Sequence, residues 1–319
     1  MTQVNVYPSY CALAESGELA ERIEQAYRLL ESCTVCPRRC RVNRLENERG
    51  FCRTGLLPVI SSYGPHYGEE TPLVGRNGSG TIFVTHCNLS CQFCQNYNIS
   101  QCAQGEEVSC KKLAAMMICL QDQGCHNINL VTPTHVVPQI LASLEIAIHD
   151  GLHIPLVYNS GGYDSVETLR LLDGIVDIYM PDAKYGSDRI ACILSHAQNY
   201  VATMKAGIME MHRQVGDLLI DEGIAVRGLI IRHLVLPENL AGSDVVLPWI
   251  AREVSPGSYV NIMDQYHPSF HAADKDDSSL PRSLHRRILP EEYRFAVRCA
   301  MKSGLHRGFK KDLEGTWSH

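Results

Sequence analysis

The chain has 319 residues, 45 % of them hydrophobic and 20 % charged, with a formal net charge of -6. That composition is globular, the length suits one large domain or a domain with appendages, and the acidic balance argues against a general nucleic-acid-binding surface. The most apolar windows, "KLAAMMICL" and "PQILASLEIAI", fall short of a membrane span, and residues 1–15 lack the basic start and apolar run of a signal peptide. A cytoplasmic protein without a membrane anchor is expected. Its 14 cysteines are then the anomaly, because clustered thiols in a reducing compartment more often bind metal than pair as disulfides.

In chain order, residues 16–31 place Leu19, Ile23, Tyr27 and Leu30 on one helical stripe. Cys33, Cys36, Cys40 and Cys52 follow with C-x2-C-x3-C-x11-C spacing. Four thiolates can close a tetrahedral zinc site or hold a second iron–sulfur cluster, with Arg38, Arg39, Arg41 and Arg44 offsetting their charge. Residues 53–79, rich in Gly and Pro, read as a connector. Within it, "HYGEE" offers Glu69 and Glu70 as substrate contacts, although a solvated acidic turn is the expected reading.

From Gly80 onward strands and helices alternate. Strands are predicted at 80–85, 127–131, 154–159, 175–180, 227–235 and 259–263. Helices are predicted at 109–124, 138–151, 164–174, roughly 196–215 and 243–254. Asp164 and Glu167 form a predicted capping box. Six strand–helix units with near-continuous apolar strands point to a parallel sheet. A partial (β/α)6 TIM-like barrel and a doubly wound open sheet both fit. The expected division is residues 1–78 for the helix, cysteine-rich lobe and connector, 79–268 for the α/β unit, and 269–319 for a linker and final helix. The pattern "PEEYRFAVRCAMKSG" is expected to cover the open edge of a barrel.

Polar residues recur where the strands end: His86 and Cys87, Thr132 to His135, Asn159, Asp182 and Lys184, Arg232 and His233. In parallel α/β folds that rim binds ligands. Arg232 and His233 stand out, because a buried strand cannot host an arginine without a partner. The loop "HCNLSCQFCQNYNIS" opens this row with Cys87, Cys91 and Cys94 in C-x3-C-x2-C spacing and no fourth cysteine at similar spacing. Three thiolates would hold three iron corners of a cubane and leave the fourth open, as a catalytic rather than a structural site requires. Zinc with His86 or a distant cysteine as fourth ligand is the competing reading.

With Phe93 before the last cysteine and the loop directly after the first strand, the sequence resembles the radical S-adenosylmethionine superfamily. The branch it resembles is that of the pyruvate formate-lyase activating enzyme, through "NINLVTPTH", "LVYNSGGYD", "VDIYMPDAKY", "LIIRHLVLP" and "YVNIMDQYHP". The resemblance implies that Cys87, Cys91 and Cys94 hold a [4Fe-4S] cluster whose open iron binds S-adenosylmethionine. Cleavage of that cofactor would yield a 5′-deoxyadenosyl radical that abstracts hydrogen from a substrate. It implies Phe93 beside the adenine, and Asp182 and Lys184 beside the cofactor. Thr132 and Thr134 would stand in for a Gly-Gly-Glu-like stretch that is absent here, and Asn159 and Arg232 join the cofactor-binding set from the strand-end row. The implied partners are an electron donor such as flavodoxin or ferredoxin and a glycyl radical enzyme. The alternatives are a small molecule or peptide substrate, or a non-catalytic metal-binding protein.

Overall fold

A computed structural model describes residues 8–309. The strands are β1 (Val59–His66), β2 (Ser79–Val84), β3 (Glu106–Glu107), β4 (Ile128–Val131), β5 (Leu156–Ser160), β6 (Ile178–Pro181), β7 (Leu219–Asp221), β8 (Ile224–Leu234) and β9 (Tyr259–Met263). β2, β4, β5, β6, β8 and β9 pair in parallel, each with the next of the series. This order separates the two architectures left open by the sequence. A doubly wound sheet reverses its strand order at a switch point, and here the order never reverses. Successive right-handed crossovers place their helices on one face, so the sheet curls around the other. The fold is α/β, a partial (β/α)6 TIM-like barrel. β2 gives its outer edge to the antiparallel β1, and β9 pairs only with β8 among the described strands, so the ring stays open.

Side-chain alternation along each strand creates two cores. Ile128, Leu130, Tyr158, Tyr179 and Ile231 face the helices. Val157, Ile178, Met180 and Ile230 gather inside the barrel with Leu73 from the β1–β2 connection. Two residues further along the same faces stand Asn159, Asp182 and Arg232. The barrel is thus plugged with apolar groups below and furnished with polar ones at its C-terminal rim.

Three expectations require correction. β1 lies within the predicted connector; "SSYGPH" dilutes the apolar alternation that marks a strand, and an edge position tolerates Pro65. The helix predicted over 16–31 is present as Glu18–Glu31, and a further helix, Ser9–Ser16, precedes it across a left-handed Gly17. Asp164 does not cap a helix: its carboxylate is buried and accepts hydrogen bonds from Thr134, Tyr158 and Ser160 at 2.7, 3.0 and 2.6 Å. The last helix, Pro290–Lys302, packs on Ser243–Trp249 rather than on the open edge. β9 is instead flanked by the segment after that helix, where Val260 N–H donates to the Arg307 carbonyl at 3.1 Å. Residues 310–319 of the predicted C-terminal segment lie outside the described residues.

Gly162 ties this architecture to the rim. Its φ is +74°, and a Cβ there would meet the Asp182 carbonyl oxygen at 2.0 Å. Gly17 is equally left-handed at +81°, with nothing within 4 Å of its would-be Cβ. Gly17→Ala should therefore cost only the about 1–2 kcal/mol of a left-handed alanine. Gly162→Ala should lower the thermal unfolding midpoint several times further, and equal losses would contradict this close approach.

Candidate active site

A cavity of about 540 Å³ occupies the rim side of the barrel, and Cys87, Cys91 and Cys94 all line it. The loop that carries them begins at His86, a non-glycine residue at φ 70°, which turns the chain sharply off β2. Each cysteine sulfur has at least one hydrogen-bond contact within the chain, and Cys87 Sγ has a second, to Asn88 Oδ1 at 3.9 Å. Leu89 N–H donates to Cys87 Sγ at 3.3 Å and the Ser195 hydroxyl to Cys91 Sγ at 3.0 Å, while Cys94 Sγ and Ser100 Oγ stand 3.1 Å apart. Burial pushes the Cys87 and Cys91 thiols up, and at Cys91 the nearby Lys184 ammonium opposes that rise.

The donor set fits an iron–sulfur cluster: three sulfurs face one cavity, and such contacts tune thiolate ligands. His86, the fourth ligand of the zinc reading, is directed elsewhere. Its Nδ1 contacts Thr54 Oγ1 at 3.2 Å, and burial lowers its pKa to about 4. Among the described residues no three His, Cys, Asp or Glu side chains converge as a single bound ion would require.

Beside the cysteines lies a charge network. Asp182 accepts from Arg232 Nε at 2.8 Å and from Lys184 Nζ at 2.5 Å, and Arg232 Nη2 donates to Asn159 Oδ1 at 2.7 Å. Burial alone would raise the Asp182 pKa, but Arg232 and Lys184 outweigh it and hold the carboxyl below its usual range. Burial would likewise discharge Lys184, and Asp182 outweighs that. Thr132 also lines the cavity, at φ 62°, with its N–H on the Asn159 carbonyl at 2.9 Å.

Other predicted site residues lie elsewhere. The Thr134 hydroxyl is committed to Asp164, two elements away from the cysteines. Phe93 is buried edge-on against Tyr266, ring centroids 5.7 Å apart, and does not line the cavity. His135 and His233 are fully buried. His233 Nδ1 must donate to the Ala183 carbonyl at 2.7 Å, leaving Nε2 to accept from Ser243 at 2.8 Å. It therefore fixes the backbone between Asp182 and Lys184 rather than touching a ligand. Glu69 and Glu70 reverse their expected reading: they line the cavity, Glu70 buried and Glu69 half-buried, rather than forming a solvated turn.

The cysteine-rich lobe abuts the same rim. Cys33, Cys36 and Cys52 are buried and Cys40 half-buried, and burial pushes the Cys36 thiol up to about 12. The lobe's arginines serve mainly as tethers. Arg38 Nε donates to the Asn88 carbonyl at 2.8 Å and its other nitrogens reach Ser195 and His196, while Arg39 pairs with Glu167. Arg44, 1 % exposed, spans from Gly55 to His135, and Arg53 donates to Ser100 and Gln101. Arg53 and Ser195 are the site residues that sequence reasoning missed. The sequence singles out Arg38 for another role, as a counter-charge to the lobe thiolates, and names Glu69 and Glu70 as substrate contacts but sets that below the reading as a solvated turn.

An open parallel barrel with a three-cysteine loop at its C-terminal rim defines the class of protein. No known family profile matches the chain. It is 33 % identical over 294 residues to the uncharacterized protein MJ0674 of Methanocaldococcus jannaschii, covering 89 % of this chain and 78 % of that one. The chain belongs to the family of that protein. Among solved structures it is similar to a radical SAM methyltransferase from Sphaerobacter thermophilus, with TM-score 0.48 and 12 % identity over 74 % of this chain and 68 % of that one. It is also similar to TYW1 with a bound lysine-pyruvate adduct, with TM-score 0.43 and 10 % identity over 70 % and 73 % of the two chains. HydG, a maturase of the [FeFe]-hydrogenase, gives TM-score 0.47 and 10 % identity over 72 % and 50 %. No helix of the described residues is long and apolar enough to cross a membrane.

The buried histidines set an acid limit on the fold. Burial lowers the pKa of His135 to about 3 and of His233 to about 4. The unfolded chain takes up these protons from about pH 6.5 downward, whereas the folded chain resists them. Stability should fall through that window by about 1.4 kcal/mol per pH unit for each histidine. Denaturant midpoints between about pH 7 and about pH 4.5 should show the slope, and His233→Asn should remove its share.

Proposed function

We propose that this protein is a radical S-adenosylmethionine enzyme. The observation that carries the reading is three cysteine side chains lining one internal cavity with Asp182, Lys184, Arg232 and Asn159. Cys87, Cys91 and Cys94 would hold a [4Fe-4S] cluster. Once bound, the cluster and the sulfonium nucleotide would supply a 5′-deoxyadenosyl radical able to remove hydrogen from an unactivated carbon. The chain's part is to bind, orient and exclude. Lys184 favours the charged form of Cys91 and, with Arg232, offers cations to the cofactor carboxylate. Asn159 and Thr132 add neutral hydrogen-bonding groups on the same wall. The apolar plug of Val157, Met180 and Ile230 keeps water from entering through the barrel floor. Zinc or a second cluster on the lobe cysteines is not needed for this role, and an electron donor such as flavodoxin or ferredoxin is the partner it requires.

For the target, a small molecule or peptide side chain is favoured over the glycine of a glycyl radical enzyme. Glu69 and Glu70 face the cavity, and a bare glycine brings no charge to meet them. "PDAK" is what supports activation of a partner protein.

Oxygen-free reconstitution with iron and sulfide, followed by electron paramagnetic resonance, tests the reading. The reduced spectrum should change when S-adenosylmethionine is added, and Cys91→Ala should lose the signal. Arg38→Ala should bind the cluster but release it to a chelator several-fold faster, because the Asn88 and Ser195 carbonyls lose their clamp. A spectrum indifferent to the cofactor would overturn the assignment.

A further inference from the structure

We infer that the Glu69–Glu70 wall of the cavity binds a cationic amino or guanidino group, carried by the substrate. The inference deepens the proposed function and rests on it for the word substrate; the binding itself stands on the local geometry. β1 runs antiparallel to β2, with His66 opposite Ser79 at the start of β2. Glu69 and Glu70 follow β1 and so enter the barrel near the N-terminal end of β2, whereas the cysteine loop leaves its C-terminal end. The two glutamates are therefore a separate part of the same cavity.

Among the described residues the charges there do not balance. Glu69, Glu70 and Asp182 line the cavity against two permanent cations, Lys184 and Arg232, and both cations donate to Asp182. Glu70 Oε1 accepts only from the neutral Asn261 Nδ2, at 3.0 Å. Glu69 has His66 Nδ1 at 3.6 Å and feels the charge of Arg232, which is itself bound to Asp182. Burial pushes the Glu69 carboxyl up, and Glu70 adds to that against the pull of Arg232.

Unfilled hydrogen-bonding capacity converges on the same place. Glu70 is 9 % exposed, and its Oε2 is buried with no partner among the described residues. Asn129 is fully buried with its side chain turned to the Glu69 carboxyl, which it helps to hold down, but among the described residues neither of its amide atoms makes a hydrogen bond of ordinary geometry. Strand alternation turns Asn129 to the same side as Val131, which lines the cavity. Buried polar atoms are seldom left unpaired, and the vacant ones here are mostly acceptors. An ammonium offers three donors and a guanidinium five, each strengthened by charge toward a carboxylate. A carboxylate ligand would add a like charge, and an alcohol would leave both glutamates without a counter-ion. Phe83 and Tyr259 line the cavity as well and suit the alkyl stem of such a group.

The test is calorimetric titration of the reconstituted protein, which needs no turnover. Pentylamine and agmatine stand for free amines and N-acetyllysinamide for a peptide side chain, against pentanol and N-acetylnorleucinamide as neutral isosteres. At least one amine should bind about tenfold or more tightly than its isostere, and which one does separates a free amine from a peptide. Glu70→Gln, which keeps an acceptor for Asn261, should abolish that preference while the melting temperature stays near wild type. Glu69→Gln serves as a second variant if the first unfolds. Equal binding of amine and isostere, or an undiminished preference in the folded Gln variants, overturns the inference. A cofactor-dependent cluster spectrum without amine preference sinks this inference alone. Amine preference with an indifferent spectrum supports the cationic site and sinks the radical reading.

Discussion

A single carboxylate holds the interior of this barrel together. Asp182 accepts from Arg232 and Lys184, and neither cation could remain in so enclosed a place without it, because a buried charge stripped of its partner costs about 3–5 kcal/mol. The surroundings fix where that carboxylate stands. His233 holds the Ala183 carbonyl, and the Tyr200 hydroxyl reaches the carbonyls of Gly161 and Asp182 and the amide of Lys184. The missing side chain of Gly162 lets the Asp182 backbone approach. The network rests on the apolar plug two residues below it on the same strand faces. Its cations are thus placed before any ligand arrives, which is the preorganisation that binding and catalysis both reward.

The lobe belongs to the same construction. Arg38 reaches from the cysteine-rich segment to the Asn88 carbonyl within the Cys87–Cys94 loop, and Arg53 to the Gln101 carbonyl in the segment that follows it. Ser195, whose hydroxyl meets Cys91, has its own carbonyl held by Arg38. A loop that leaves its strand through a left-handed histidine would otherwise relax, since such a conformation is retained only where neighbours over-determine it. The lobe supplies that determination.

Much of the rim was legible because strands buried on both faces make any polar residue conspicuous, and Arg232 within "LIIRHLV" is the clearest case. The same alternation separates Arg232 from His233, one facing the cavity and the other Ser243, although adjacency invites grouping them. What stayed illegible depended on chain segments meeting from afar. Asp164 matches a local capping pattern, but three hydroxyls from the barrel wall claim it first. Glu69 and Glu70 look solvated until β1 is known to lead them back into the barrel, and β1 is too polar and broken to announce itself.

The open ring explains why the cavity has the character it does. In a closed eight-stranded barrel, inward side chains from all strands fill the interior. With six parallel strands, the gap between β9 and β2 must be sealed by other chain segments. Here the β1–β2 connection does so, with Glu70 hydrogen-bonded to Asn261 on β9 and Gly308 brought alongside from the C-terminal segment. An apolar seal would have collapsed onto the plug and left no room. A seal of carboxylates and amides keeps the space open, since groups with unfilled hydrogen-bonding capacity call for a polar occupant rather than apolar contact. The same residues that close the wall therefore dictate the polarity of whatever fills it.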